Sequence, residues 1–76
     1  MYKIYNILSE DEVKYIVYSL SFFPYRDVSY LIKKIEDNED LSDLELSVIL
    51  EKLTFMPYRD VKSIIDRLSS ILKVDM

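Results

Sequence analysis

Six amino acids are missing from this chain: cysteine, histidine, glycine, tryptophan, alanine and glutamine. Without cysteine there is no disulfide and no thiol nucleophile, and without histidine as well, most structural zinc sites are excluded. Histidine is also the commonest general base, so its absence thins the means of catalysis. Without glycine no phosphate-cradling loop of the usual kind forms, and a turn that needs a left-handed residue must fall back on asparagine. No apolar run approaches the roughly 18 residues that span a membrane. The opening segment, Met1 to Leu8, is too short and too lightly charged for a secretory signal. The expectation is a soluble, cytoplasmic protein. Alanine and glycine have GC-rich codons, so their joint absence hints at an AT-rich genome. With the small size, that fits a phage, virus or other mobile element, whose product would work in the host cytoplasm.

What is present points to a small folded domain. The chain has 76 residues, half of them hydrophobic, and a net charge of −4. A domain of this size buries only roughly 60% of its unfolded surface. With no disulfide or zinc to staple it, stability must come from helix packing, self-association or a partner. The acidic balance works against nucleic-acid binding, which is driven largely by neutralising phosphates.

The strongest internal signal is a motif written twice, 33 residues apart, with Ser9–Asp37 aligning on Ser42–Ser70 without a gap. The pairs Ser9/Ser42, Glu12/Glu45, Ile16/Ile49, Leu20/Leu53, Phe22/Phe55, Val28/Val61 and Ile32/Ile65 are identical. The whole run Pro24-Tyr25-Arg26-Asp27-Val28 recurs as Pro57-Tyr58-Arg59-Asp60-Val61. Duplication is the reading, and it governs the fold.

Each copy reads as two helices. Ser9-x-x-Glu12 and Ser42-x-x-Glu45 are capping boxes placed just before apolar-periodic stretches. Val13, Ile16, Val17 and Leu20, and likewise Leu46, Ile49, Leu50 and Leu53, follow the i, i+3, i+4, i+7 spacing of one helix face. Pro24 and Pro57 end the first helix of each copy and start the second. The second helices carry Val28, Leu31, Ile32 and Ile35, and Val61, Ile64, Ile65 and Leu68, the latter extended by Ile71 and Leu72. The spacing predicts an all-α domain of four short helices near 10–22, 24–37, 43–55 and 57–73. Residues 1–8 form an N-terminal arm, repeat one spans 9–37, an acidic linker covers 36–41, repeat two spans 42–70, and the single domain is 9–76. Each helix pair exposes an apolar stripe, so the copies are expected to pack stripe to stripe about a pseudo-twofold axis. Asn38 is the residue expected to take the left-handed helix-end conformation.

Two polar features have structural readings. Pro24, Tyr25, Arg26 and Asp27, with Pro57, Tyr58, Arg59 and Asp60, read as structural corners. In them each Asp meets the positive end of a helix dipole, each Tyr covers the turn, and each Arg pairs across the axis with a capping glutamate, as Arg26–Glu45 and Arg59–Glu12. The acidic stretch Glu36–Asp43 reads as a solvated linker, with nucleic-acid mimicry as the functional alternative. It lacks the glycine and the closing glutamate of a calcium loop. No metal or cofactor is expected.

The more informative feature is a second stripe on the first helix. At 100° per residue, Tyr15, Tyr18 and Phe22 lie opposite its core face. The second copy has Val48, Glu51 and Phe55 there, and Tyr30 is matched by Ser63. Either the arm, with Tyr2, Ile4, Tyr5, Ile7 and Leu8, folds over this stripe, or the stripe faces another chain, since tyrosine and phenylalanine concentrate at interface centres. The candidate partner-binding residues are therefore Tyr15, Tyr18, Phe22 and Tyr30, with Tyr2 and Tyr5 nearby.

The segment Leu41-Ser-Asp-Leu-Glu-Leu-Ser-Val-Ile-Leu-Glu-Lys-Leu53, followed by Pro57-Tyr-Arg-Asp-Val-Lys-Ser-Ile-Ile65, resembles the early part of sigma-factor or LuxR-type helix-turn-helix domains. About a third of the chain is covered. The resemblance implies DNA binding through a further basic helix set in the major groove. Here Asp66-Arg-Leu-Ser-Ser-Ile-Leu72 follows instead, and Lys62, Arg67 and Lys73 are the only basic trio of note on the last helix. The expected function is a non-enzymatic protein–protein interaction module, a homodimer or a binder of another protein, regulating or inhibiting a host protein if the mobile-element hint holds. The alternatives are a helix-turn-helix regulator of transcription and an acidic DNA mimic.

Overall fold

In the computed structural model, which describes residues 2–73, the chain is mostly helical and measures 28 × 26 × 22 Å. The order is β1 (Tyr2–Lys3), α1 (Ile4–Ile7), α2 (Glu10–Leu20), α3 (Tyr25–Glu36), β2 (Asp40–Leu41), α4 (Asp43–Leu53) and α5 (Tyr58–Leu72). Met1 of the expected arm and residues 74–76 of the expected domain lie outside the described residues. No described helix is long and apolar enough to cross a membrane.

The four main helices start and stop where local chemistry dictates. Ser9 and Ser42 are the N-caps of α2 and α4. Each serine Oγ accepts from the backbone N–H of the glutamate three residues on, at 3.3 and 3.1 Å, and that glutamate accepts from the serine N–H at 2.9 Å in both. Both helices end two residues sooner than the sequence spacing suggested. After Leu20 the chain tightens into turns closed by Phe22 N–H to Ser19 and Phe23 N–H to Leu20. Phe55 N–H to Lys52 and Met56 N–H to Leu53 close the corresponding turns after Leu53. Pro24 and Pro57 sit at the N-cap rather than inside the first turn, each accepting at its carbonyl from Asp27 or Asp60 N–H. Asn38 takes φ 51°, and the bonds Asn38 N–H to Ile35 and Glu39 N–H to Lys34 complete a Schellman motif without glycine.

α2 packs on α3 and on α4, and α4 packs on α5. Their facing stripes form one core, in which Ile16, Leu20, Leu31, Ile35, Leu46, Ile49, Leu53 and Leu68 are fully buried. Val17 and Ile32, expected in the core, are only half-buried at its margin.

α3 runs through Glu36, close to the expected end at 37, and within the linker Asp40–Leu41 forms a strand rather than a loop, antiparallel to Tyr2–Lys3 in the register Tyr2 to Leu41 and Lys3 to Asp40. Of the two alternatives for the aromatic stripe, the structure does not show the arm draped over it. The arm's strand and single helical turn insert Ile4 and Leu8 into the core, 0% and 4% exposed. An apolar arm has two ways to leave water, and the core, which also holds Leu41, offers Ile4 and Leu8 nearly full burial.

The capping glutamates also choose other partners than those expected. Glu12 accepts from Arg67 Nη1 at 2.6 Å and from Ser63 Oγ at 3.2 Å, and Glu45 pairs with Lys34 Nζ at 2.9 Å. Arg26 and Arg59 lie at the start of their helices, whereas Lys34 and Arg67 lie two turns further along and reach the capping boxes.

Candidate protein-binding surface

The side chain of Tyr15 grips the fold at both ends. Its ring packs against the core, and its hydroxyl donates to Asp60 Oδ2 at 3.3 Å. Burial first, and then the neighbouring Asp60 charge, push its phenol above the ordinary tyrosine value. One turn on, Tyr18 lies 5.8 Å from Tyr15, ring to ring, and Phe22 lies 5.0 Å from Tyr18, edge to face. Tyr18 and Phe22 are nevertheless 54% and 64% exposed. The helical repeat sets Tyr15 and Tyr18 on one side of α2, because i and i+3 positions are neighbours there, and Phe22 in the turn that follows continues the row.

This ladder runs into the corner after α2, where it meets the corner after α4. Phe23 and Phe55 pack edge to face at 5.7 Å, and Lys52 Nζ sits 4.7 Å over the Phe23 ring. Phe22, Phe23, Phe55 and Met56 line an open apolar groove of about 390 Å³ between the corners. Phe55 is 72% exposed. The result is one continuous apolar surface from Tyr15 through Tyr18 and Phe22 to Phe55.

Of the six residues singled out from the sequence, Tyr15, Tyr18 and Phe22 come together here. Tyr30 is exposed on α3, beside Lys34 rather than on the ladder. Tyr5 is exposed on α1. Tyr2 sits in β1, where its hydrogen bond with Asp43, and then the charge of that carboxylate, hold its phenol above the ordinary value. Sequence reasoning missed Phe23 and Met56 as part of the surface, and placed Phe55 only as the counterpart of Phe22 on the second copy. Helical periodicity could not bring these residues together, because they stand in the two turns and meet only through the packing of α2 on α4.

The corners themselves are open. Tyr25 and Tyr58 project into solvent, and neither Arg26 nor Arg59 has an ion-pair partner among the described residues. Of the basic trio Lys62, Arg67 and Lys73, the first two on α5 and the last just beyond it, Arg67 is engaged by Glu12. The acidic linker is partly committed too, with Asp40 3.7 Å from Lys3 and Asp43 beside Tyr2. Among the described residues no three carboxylates converge as metal ligands would. Comparison with known protein families, with curated proteins and with solved structures gives no match.

Proposed function

We propose that this chain is a small, non-enzymatic protein-binding module that engages its partner through the Tyr15–Tyr18–Phe22 ladder and the apolar corner beyond it. The exposed, continuous aromatic surface carries the reading. If each full side chain offers about 200 Å², Tyr18, Phe22 and Phe55 together leave roughly 350–400 Å² of ring in water. That lies within the roughly 300–600 Å² of the largest patch on a monomeric protein, which is often functional. The fold does not require an aromatic ring at every rung, since the positions of α4 that match Tyr15 and Tyr18 hold Val48 and Glu51.

The architecture behind the surface reads as two copies of one helical hairpin related by an approximate twofold axis. Matching caps at Ser9 and Ser42, matching turns after Leu20 and Leu53, and the crosswise pairs Glu12–Arg67 and Glu45–Lys34 support it, because each partner sits 33 residues from its counterpart. The mobile-element origin and a regulatory or inhibitory role remain part of the proposal on compositional grounds. Duplex binding has less behind it, since Arg67 is already held by a carboxylate.

The test uses Tyr18→Glu, which gives α2 the residue α4 already carries. Wild type and variant are compared as bait in lysate of the source organism, and sedimentation is run on each alone. The reading expects one protein, or a second copy of the chain, to be retained by the wild type and lost by the variant at an unchanged melting temperature. If Tyr18→Glu unfolds the monomer, the ring is structural and the reading fails.

A further inference from the structure

The duplicated chain has kept identities on its surface that the fold does not need. Most identical pairs have a visible structural task. Ser9/Ser42 and Glu12/Glu45 cap helices. Ile16/Ile49, Leu20/Leu53 and Val28/Val61 are core, Pro24/Pro57 set the corners, and Asp27/Asp60 face the helix dipole. Two pairs have none, Tyr25/Tyr58 and Arg26/Arg59, and a third, Phe22/Phe55, touches neighbouring rings yet stays mostly in solvent. All six residues are exposed, with Tyr25 75% and Tyr58 61% open to solvent. Elsewhere the pairs exposed in both copies have all changed, Lys14/Ser47, Tyr18/Glu51, Tyr30/Ser63 and Lys33/Asp66 among them. Shared ancestry alone would have preserved exposed residues anywhere along the two hairpins, not at the corners alone. The two corners also adjoin, through Phe23 and Phe55 at 5.7 Å.

We infer that the paired Phe-x-x-Tyr-Arg corners form one docking face for a protein that presents two carboxylates beside an apolar ridge. The apolar groove between Phe22 and Phe55 takes the ridge, and Arg26 and Arg59 each take a carboxylate. Charge complementarity selects this partner. The two guanidiniums have no ion-pair partner among the described residues, and planar guanidinium suits bidentate carboxylate binding. Tyrosine and arginine are also the residues most enriched among binding hot spots. A phosphate backbone is a poorer fit to a chain of net charge −4. A second copy, docked corner to corner, would bring four arginines together. The inference rests on the protein-binding reading above but uses different residues from the Tyr15–Tyr18 part of the ladder.

The test is selection of binders from a displayed library of random linear peptides on the intact protein, followed by affinity measurement on the best peptide. The expected peptides combine Asp or Glu with bulky apolar residues. Arg26→Ala and Arg59→Ala should each weaken binding about tenfold, the double variant more, and Lys14→Ala not at all, with melting temperatures unchanged. Basic or uncharged winners, no winners, or equal binding by the double variant would overturn the inference. So would a dimer in sedimentation that the double variant breaks, or tight binding of a duplex DNA probe lost in that variant. Peptides released by Tyr18→Glu but not by the double arginine variant would overturn the corner face while leaving the ladder intact. Peptides with the opposite response would do the reverse.

Discussion

Ile4→Ala asks whether the N-terminal arm is part of the fold or an accessory to it. Ile4 opens the single turn of α1 and is fully buried, in one cluster with Leu8, Leu41 and the stripes of the main helices. The substitution deletes three carbons. At about 0.8 kcal/mol for each buried methylene the transfer loss is about 2.4 kcal/mol, and a cavity adds to it, so about 2.5–4 kcal/mol is expected. At about 0.05–0.15 kcal/mol per residue the whole domain has only about 4–11 kcal/mol to lose. For a domain of this size each kcal/mol moves the melting temperature by about 4–8 °C, so a fall of at least 10 °C should be seen. Urea titration followed by helical circular dichroism gives the free energy directly, and the slope should stay that of the parent because the arm unfolds with the rest. A loss below about 1 kcal/mol would refute the reasoning. Two separate transitions would also refute it, because the arm would then be docking as an independent unit.

Acid should destabilise the protein through the capping glutamates. The Ser9 backbone N–H, followed by Ser9, Ser63 and Arg67, holds Glu12 below the ordinary carboxylate range, and the Ser42 N–H followed by Lys34 does so for Glu45. A depressed folded value means that this stabilisation is whole above the unfolded value of about 4.3 and is lost as the pH falls through the folded one. Melting temperatures measured on the acid side should therefore drop less steeply in Glu12→Gln/Glu45→Gln, and an unchanged slope would contradict the assignment. Ser9→Ala should cost about 1 kcal/mol in urea titration, the usual value of an N-cap, and Ser42→Ala a similar amount. Asn38→Gly should leave stability equal or slightly raised, whereas Asn38→Val should lower it by about 1–2 kcal/mol, because φ of 51° suits glycine and opposes a β-branched residue. Equal stability of the two Asn38 variants would argue against the left-handed end.

The helices were legible because their signals are local. A serine three residues ahead of a glutamate, a proline after an aromatic pair and an asparagine after a lysine-rich turn each fix one backbone feature by short-range chemistry, and each feature occurs in the structure. What was not legible depended on reach and on competition. Lys34 and Arg67 take the glutamates expected for Arg26 and Arg59 because a long side chain two turns along a helix points back at the neighbouring helix start. The arm has two apolar destinations, and periodicity cannot weigh one burial against another. The aromatic ladder was visible as a stripe, but the turn residues Phe23 and Met56 that extend it belong to no period, and the meeting of Phe55 with them depends on how α2 packs on α4.

A chain folded as two consecutive helical hairpins is open to domain swapping, in which the first hairpin of one molecule packs on the second hairpin of another through the same contacts. The segment between them would then straighten into a hinge. Here that segment is pinned: Asp40–Leu41 is hydrogen-bonded to β1, Lys3 Nζ donates to the Asn38 carbonyl at 3.1 Å, and Leu41 is buried in the same core cluster as Ile4. Straightening the hinge would tear two strands apart and expose part of the core. The contacts made by β1 and α1 thus oppose that exchange, as a latch opposes the opening of a hinge.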